Sequence, residues 1–426
     1  MTNPGAVSMA TRIEVTKKLK QGYKTASKAK KGHILDRFCE VTGLSRSSAR
    51  RYLTSDTLGN PRVVRIDKRK AKPRKYSLTA QKFLVRLWKL EGMPCGKHMA
   101  ASMSTWLDAL ERHEEFVVGK SGYTTNIRAE LESMSPATID RYLKEHRDKL
   151  ALKGIATTKP GALLRNSVKI RTATDEVEDE PGFFEVDTVA HCGPTLKGEF
   201  ARTVSFTDVH TGWIHLEVIR NNAAKHILAS FDSAWNTIPY GIAGLDCDNG
   251  SEFINHEVLS WAADKNVYFT RSRPYRKNDQ AYIESKNNHT VRKYGFHYRY
   301  DTDEERRVLG LLWEKVTVKL NYFTPTQKPV GWTENANGKR RRIRDTPTTP
   351  YQRLLESKTL SAPQIAELNT IYESINPAEL TRDIVRLQGR LIELARTKTE
   401  TLVAQTAQKQ QQREHTYQTG ITIRIS

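Results

Sequence analysis

Residues 181–219 read PGFFEVDTVAHCGPTLKGEFARTVSFTDVHTGWIHLEVI, and their patterning decides the fold class. Phe183–Val189, Ala201–Val209 and Trp213–Ile219 are strand-like runs rich in β-branched and aromatic residues, and DVHTG at Asp208–Gly212 supplies a hairpin turn. Downstream the period changes. Ala223–Trp235 and Ile254–Lys265 have helical spacing, Ala243–Cys247 and Val267–Thr270 read as short strands, and Asp279 to about Arg292 reads as a helix. A three-strand meander followed by alternating helix and strand predicts a mixed sheet with helices packed on it.

Within that pattern three acids stand where chemistry would want them. Asp187 interrupts an otherwise apolar strand, where a carboxylate loses its hydration unless something compensates, and a cation is the usual compensation. Asp248 ends the 243–247 strand, immediately before Asn249-Gly250, a pair that turns the chain sharply. Glu284 sits about one turn into the predicted helix, so its side chain can point back at the sheet edge. Other acids compete. Glu185 shares the face of Asp187 and Asp246 that of Asp248. Asp208 fits the shaping of its hairpin, Glu252 lies past the turn, and Asp279 fits a helix cap. Cys192 beside His191 and Cys247 beside Asp248 lack metal-ligand spacing and read as packing residues.

Between Asp248 and Glu284 lie 35 residues. With an Asp on an earlier strand, this is the D,D-35-E signature, and here the chain resembles the DDE transposases and retroviral-type integrases, specifically the integrase-core proteins of bacterial insertion sequences. The resemblance rests on EVDTV, FTDVHTGW, DCDNGSEFIN, TRSRPYRKNDQAYIESKN and VRKYGFHYRY, with TPYQRLL at 349–355 downstream. It is strong over 180–300 and weak over 320–355. It implies a ribonuclease-H-like α/β core in which Asp187, Asp248 and Glu284 are the catalytic and metal-binding residues, holding two Mg²⁺ ions per site, with Mn²⁺ as a substitute. Magnesium binds through a few carboxylates plus substrate phosphate. Two such ions about 3.5–4 Å apart serve the attacking and leaving oxygens of an in-line phosphoryl displacement. Asp187 would bridge both ions, with Asp248 and Glu284 each completing one. The resemblance also implies a homo-oligomer assembled on double-stranded DNA (an element's terminal inverted repeats and its target) in a prokaryotic cytoplasm, in association with the nucleoid.

The flanks suit a DNA-handling protein. The chain has 426 residues and a formal net charge of +21. Residues 1–90 hold 23 Lys and Arg against 5 Asp and Glu, which leaves a surplus of only 3 cations for the rest. So lopsided a segment repels itself unless a polyanion neutralises it, and nucleic acid is the natural polyanion. Residues 1–58 read as a helix-turn-helix: Ile34, Leu35, Phe38 and Cys39 recur at helical spacing, Thr42-Gly43 interrupts, and Ser45 caps a helix through Leu53 that turns Arg46, Arg50 and Arg51 outward. A plain two-helix corner with a charged face fits the same residues. The linker 59–76 adds Arg65, Lys68, Arg69 and Lys70. A second helical DNA-binding domain spans 77–150, with helices at 78–90, 97–111 and 125–133 and a last one opened by Ser135-Pro136 that exposes Arg141, Lys144 and Arg147. Around the third acid, Arg271, Arg273, Lys277, Lys286, Asn287 and Arg292 are placed to hold DNA.

Residues 151–180, ending in DEVEDE, read as a linker before the core at 181–318. Segment 319–348 reads as a basic stretch, β-barrel-like or irregular, 349–400 as helices, and 401–426 as a polar, mobile tail. Leu380, Ile384, Leu387, Leu391 and Leu394 step by four and three, a seam for a coiled coil or an intramolecular helix pair. The four cysteines (Cys39, Cys95, Cys192, Cys247) form no CxxC, which argues for a reducing compartment and against a disulfide framework. Neither a secretory leader nor an apolar run of about 20 residues is expected here, so no membrane partner is implied. Two other functions fit the same features: a catalytically silent, sequence-specific DNA-binding regulator, or a ribonuclease-H-like repair or junction nuclease that hydrolyses without joining.

Overall fold

The structure is a computed structural model of the full chain; it describes residues 8–55, 75–150, 170–171, 180–248, 250, 252–272, 287–334 and 340–418. The chain forms two compact units, Met1–Lys75 and Tyr76–Ser426.

In the first unit, helices α1 (Met9–Thr25), α2 (Lys28–Thr42) and α3 (Arg46–Thr54) close over Tyr23, Leu35, Phe38, Ala49 and Leu53. Gly43 ends α2 in the left-handed region (φ 66°), its N–H returning to Cys39 O at 2.8 Å, and Ser45 accepts from Ser48 N to start α3. Both devices are those the sequence carries.

The second unit is built on a six-stranded sheet in the order β1-β6-β5-β2-β3-β4. Its strands are β1 (Ile170–Arg171), β2 (Phe183–Ala190), β3 (Arg202–Asp208), β4 (Ile214–Ile219), β5 (Gly244–Cys247) and β6 (Tyr268–Ser272). The meander β2-β3-β4 is antiparallel, and β5, β6 and β1 run parallel beyond β2. The edge strand β1 falls inside the stretch expected to be pure linker. Alternation sets the faces. Phe184, Val186, Val204, Phe206, Leu245 and Cys247 share one core with α8 (Ala224–Thr237) and α9 (His256–Asp264). Val189, Ala201, Ile214 and Leu216 share another with α10 (Asp303–Phe323) and α13 (Pro377–Gln418).

The leucine seam is intramolecular: Leu380, Ile384, Leu387 and Leu391 bury against Val308, Leu309, Leu312 and Val316 of α10. Helix α13 also continues to Gln418, so much of the expected polar tail is helical. Among its described residues, segment 319–348 shows a two-stranded ribbon rather than a closed barrel. Its first residues are the last turn of α10, and the remainder carries a two-stranded antiparallel ribbon, β7 (Pro329–Glu334) and β8 (Arg340–Arg344). Helices α11 (Pro350–Glu356) and α12 (Ala362–Ser374) follow.

The helical block α4 (Leu78–Glu91), α5 (Gly96–Arg112), α6 (Thr125–Glu132) and α7 (Pro136–Leu150) is docked on the sheet unit rather than free of it. Trp106, fully buried on α5, donates from Nε1 to Phe323 O of α10 at 3.0 Å and meets the Phe323 ring edge-on. Lys319 of α10, also buried, donates to Leu90 O and to Thr381 Oγ1, each at 2.8 Å, so it ties α4, α10 and α13 together. Burial pushes its ammonium down to about 7 and the neighbouring Glu91 carboxyl up to about 8. Arg147, expected to face solvent, instead donates to Asp140 (2.6 Å) and Pro94 O (3.0 Å), pinning α7 to the start of α5.

Trp106→Ala removes a large buried side chain from that junction and should cost about 3–5 kcal/mol. Calorimetry should show the helical block and the sheet of residues 76–426 melting in one transition that this substitution lowers as a whole; a separate low-temperature transition for the block would contradict the shared core.

Candidate active site

The sheet register brings the first two acids together. Glu185 pairs with Asp246 and Val186 with Cys247 across the parallel β2–β5 ladder, so Asp187 and Asp248 fall one step further on, on one face, at neighbouring strand positions. Such strands lie about 4.8 Å apart. The face is the one covered by α10, α13 and the helical turns around residues 287–295.

Asp187 keeps part of its side chain open but is crowded by protein. Oδ1 accepts from Thr188 N at 2.7 Å and Oδ2 from Asn287 Nδ2 at 2.6 Å. Burial, reinforced by the charge of Asp248, pushes its carboxyl up to about 7 against these two donors. Burial likewise raises Asp248, with Glu252 adding repulsion, while the Gly250 N–H (2.8 Å to Oδ1) and Arg202 oppose the rise. A Cβ at position 250 would stand 2.5 Å from Glu252 Oε2 and 2.8 Å from Asp248 Oδ1, so a side chain there would push these carboxylates aside. Glu252 is therefore folded over the turn toward the pair. Its Oε1 accepts from Thr188 Oγ1 at 3.4 Å and lies 3.9 Å from Arg202 Nη1.

The competing acids have other employment. Asp208 accepts from Gly182 N, Thr211 N and Thr211 Oγ1, which makes it the clamp of the β3–β4 turn. Asp246 is buried on β5 and accepts from Thr270 Oγ1 at 2.7 Å. Glu185 is buried deeper along the same face as Asp187. Glu284 and Asp279 lie outside the described residues, as do Arg65, Lys68, Arg69, Lys70, Arg273, Lys277 and Lys286.

Asn287 departs from expectation. Read from the sequence as a DNA contact, it is buried and spends its amide on Asp187, while its Oδ1 is buried without a partner among the described residues. It leads into a π-helical turn, Asn288–Arg292, a distortion frequent at functional sites. Arg271, also expected on DNA, is buried because β6 is an inner strand flanked by β5 and β1. Arg292 is half-buried, and desolvation lowers its guanidinium from the ordinary value. Arg50, Arg51, Arg141 and Lys144 are exposed; Arg46 is exposed but ion-paired with Asp36. The sequence reading missed Arg202, which stands at the start of β3 and so at the acidic end of the sheet. The antiparallel hairpin alone places it there, since it pairs with Ala190.

The donor set fits a hard divalent cation, since two carboxylates stand at neighbouring strand positions, each raised by burial, and such cations take oxygen ligands of this kind. Among the described residues no three His, Cys, Asp or Glu side chains are arranged to hold a metal; Asp187 and Asp248 are two of the expected three.

Residues 178–277 match the family model described as the integrase core domain. The chain belongs to the DDE integrase/transposase superfamily, within which an integrase core marks transposase- and integrase-type polynucleotidyl transferases. An uncharacterized protein, y4rM, from Sinorhizobium fredii (strain NBRC 101917 / NGR234) is 34% identical over 324 residues, covering 76% of this chain and 89% of its own. Among solved structures, the catalytic core domain of BIV integrase aligns with a TM-score of 0.29 at 17% identity, over 42% of this chain and 95% of that one. The HTLV-2 integrase catalytic core domain, solved in complex with magnesium, aligns with a TM-score of 0.27 at 14% identity, over 34% and 91%. No helix among the described residues is long and apolar enough to cross a membrane.

A carboxyl whose folded value is raised contributes stability at pH below its unfolded value, and that contribution fades as pH climbs through the folded value. For Asp187 the window runs from about 4 to about 7. The metal-free protein should therefore lose stability across this interval, on the order of a few kcal/mol at most. Asp187→Asn should flatten that part of a melting-temperature-against-pH curve, and an unaltered slope would mean the carboxyl is not strained.

Proposed function

We propose that this chain is a DNA transposase that binds the ends of a mobile element, cuts there, and joins the freed 3′ end to target DNA. The observation that carries the reading is the Asp187–Asp248 pair at neighbouring strand positions, with Asn287 joined to Asp187 at 2.6 Å. Glu284 stands three residues before Asn287 in the sequence, and is the third carboxylate of this reading.

Asp187, Asp248 and Glu284 would hold two Mg²⁺ ions. Bound there, the ions lower the charge on the scissile phosphate and favour ionisation of the attacking hydroxyl or water. The protein's share is positional. Asn287 and the Thr188 N–H fix the two Asp187 oxygens, the Gly250 N–H fixes Asp248, and Glu252 with Arg202 closes the side of the site. One site thus serves both steps, with water as nucleophile in cleavage and a DNA 3′-OH in joining.

The compact unit of residues 1–75 is proposed as the helix-turn-helix that recognises element ends, with Arg50 and Arg51 exposed on α3. The 77–150 block, presenting Arg141 and Lys144, is proposed as a second DNA-contacting surface held firmly against the core. Joining two ends requires two sites, so a multimer formed on DNA is part of the proposal.

Asp187→Asn, Asp248→Asn and Glu284→Gln should each abolish cleavage and strand transfer on an end-bearing substrate while leaving the binding constant for that DNA unchanged. Full joining by any of the three would remove that residue from the site. Deleting residues 1–75 should weaken binding to ends and shallow its salt dependence by about 0.9 log units for each phosphate no longer neutralised. An unchanged slope would show that the basic front is not the anchor.

A further inference from the structure

The β7–β8 ribbon is a feature that neither the fold nor the carboxylate site explains. Its root is held rigidly. Arg353 donates to Thr326 Oγ1 (2.7 Å), Thr326 O (2.6 Å) and Asp345 Oδ2 (3.0 Å), and reaches Thr211 O of the β3–β4 turn at 3.3 Å. Lys328 N donates to Asp345 Oδ1 at 2.7 Å, Lys328 Nζ bonds His210 O, and Thr326 bridges to Thr348. Beyond this root the ribbon projects with both faces exposed. Val330, Trp332 and Ile343 are 63%, 59% and 44% exposed.

A two-stranded hairpin with no covered face is marginal in water. Charge on an exposed edge guards against aggregation, but that device does not place three large apolar side chains in solvent beside it. The composition points to what the ribbon meets. Residues 339–344 read KRRRIR, and Glu334 is the one acid between 329 and 344. Arg341 and Arg342 are exposed and have no carboxylate partner among the described residues. Cross-strand pairing sets Trp332 opposite Arg342, whose guanidinium lies over the indole at 5.1 Å. Stacking of this kind orders the planar fork while leaving its N–H donors free for a phosphate.

We infer that this ribbon is a sequence-independent binding arm for the phosphate backbone of double-stranded DNA, distinct from both the helix-turn-helix unit and the carboxylate site. This rests on the transposase reading in that DNA is the polyanion at hand. The position of the root adds a constraint. The β3–β4 turn adjoins Phe183 at the start of β2, four residues and so about 13 Å along the strand from Asp187. The ribbon is therefore rooted apart from the carboxylate pair rather than beside it.

The test is binding of the full-length protein to a random-sequence duplex of about 50 bp, titrated over salt between about 50 and 300 mM. Arg341→Ala/Arg342→Ala should weaken binding about tenfold and shallow the salt slope by about 2, at 0.9 for each phosphate released. Arg341→Lys/Arg342→Lys should retain the slope. Trp332→Phe supplies an independent reading that does not depend on the charge variants folding: the difference in tryptophan emission between it and wild type should respond to added duplex. An unchanged slope in the alanine variant, or an indole at 332 indifferent to DNA, overturns the proposal and turns the ribbon over to a partner other than nucleic acid. Failure of the transposase reading looks different: wild type would then bind DNA through the ribbon yet never cleave it in Mg²⁺.

Discussion

Two carboxylates set side by side in a crowded sheet end repel each other and lose hydration at once, and much of this molecule is arranged around that tension. Asp187 and Asp248 occupy neighbouring strand positions because β2 and β5 pair in parallel, and a shift of one residue would send one of them into the opposite core. That core, filled by Phe184, Val186, Leu245 and Cys247 against α8 and α9, fixes the register. The packing energy of the apolar face thus holds the acids where electrostatics alone would separate them. Donors at Thr188, Gly250 and Asn287 orient the oxygens without cancelling their charge. Strain of this kind, maintained by a scaffold, is a common property of sites that act on charged substrates.

The surrounding architecture keeps the scaffold stiff. Helices α10 and α13 clamp the acidic face through a continuous apolar seam, and Lys319 and Trp106 fasten the α4–α7 block to the same helices. What the sequence divides into a helical DNA-binding domain and a catalytic domain is mechanically one unit. Residues 1–75 form a second compact unit.

Much of this was readable beforehand, for physical reasons that differ from element to element. The meander was legible because alternation along Phe183–Ile219 has a period of two and its turn carries its own clamp in Asp208. The cap at Ser45 was legible because capping is a local event. Long-range choices were not. No local signal says whether the 380–394 seam meets a second chain or α10, or that Arg147 turns inward to Asp140. Helical spacing put Asn287 beside Glu284 but gave no hint that its amide would be spent on Asp187. The ribbon was hidden because Gly, Pro and basic residues between 329 and 344 suit a barrel, a loop or a hairpin equally well.

The central claim is that Asp187 and Asp248 together form a cradle for a divalent cation. Anomalous scattering from a crystal of the wild-type protein grown with Mn²⁺ tests it most directly. The account predicts a peak within about 2.0–2.2 Å of an oxygen from each of the two carboxylates. Electron density with the two side chains turned apart, and manganese bound elsewhere or not at all, would contradict it.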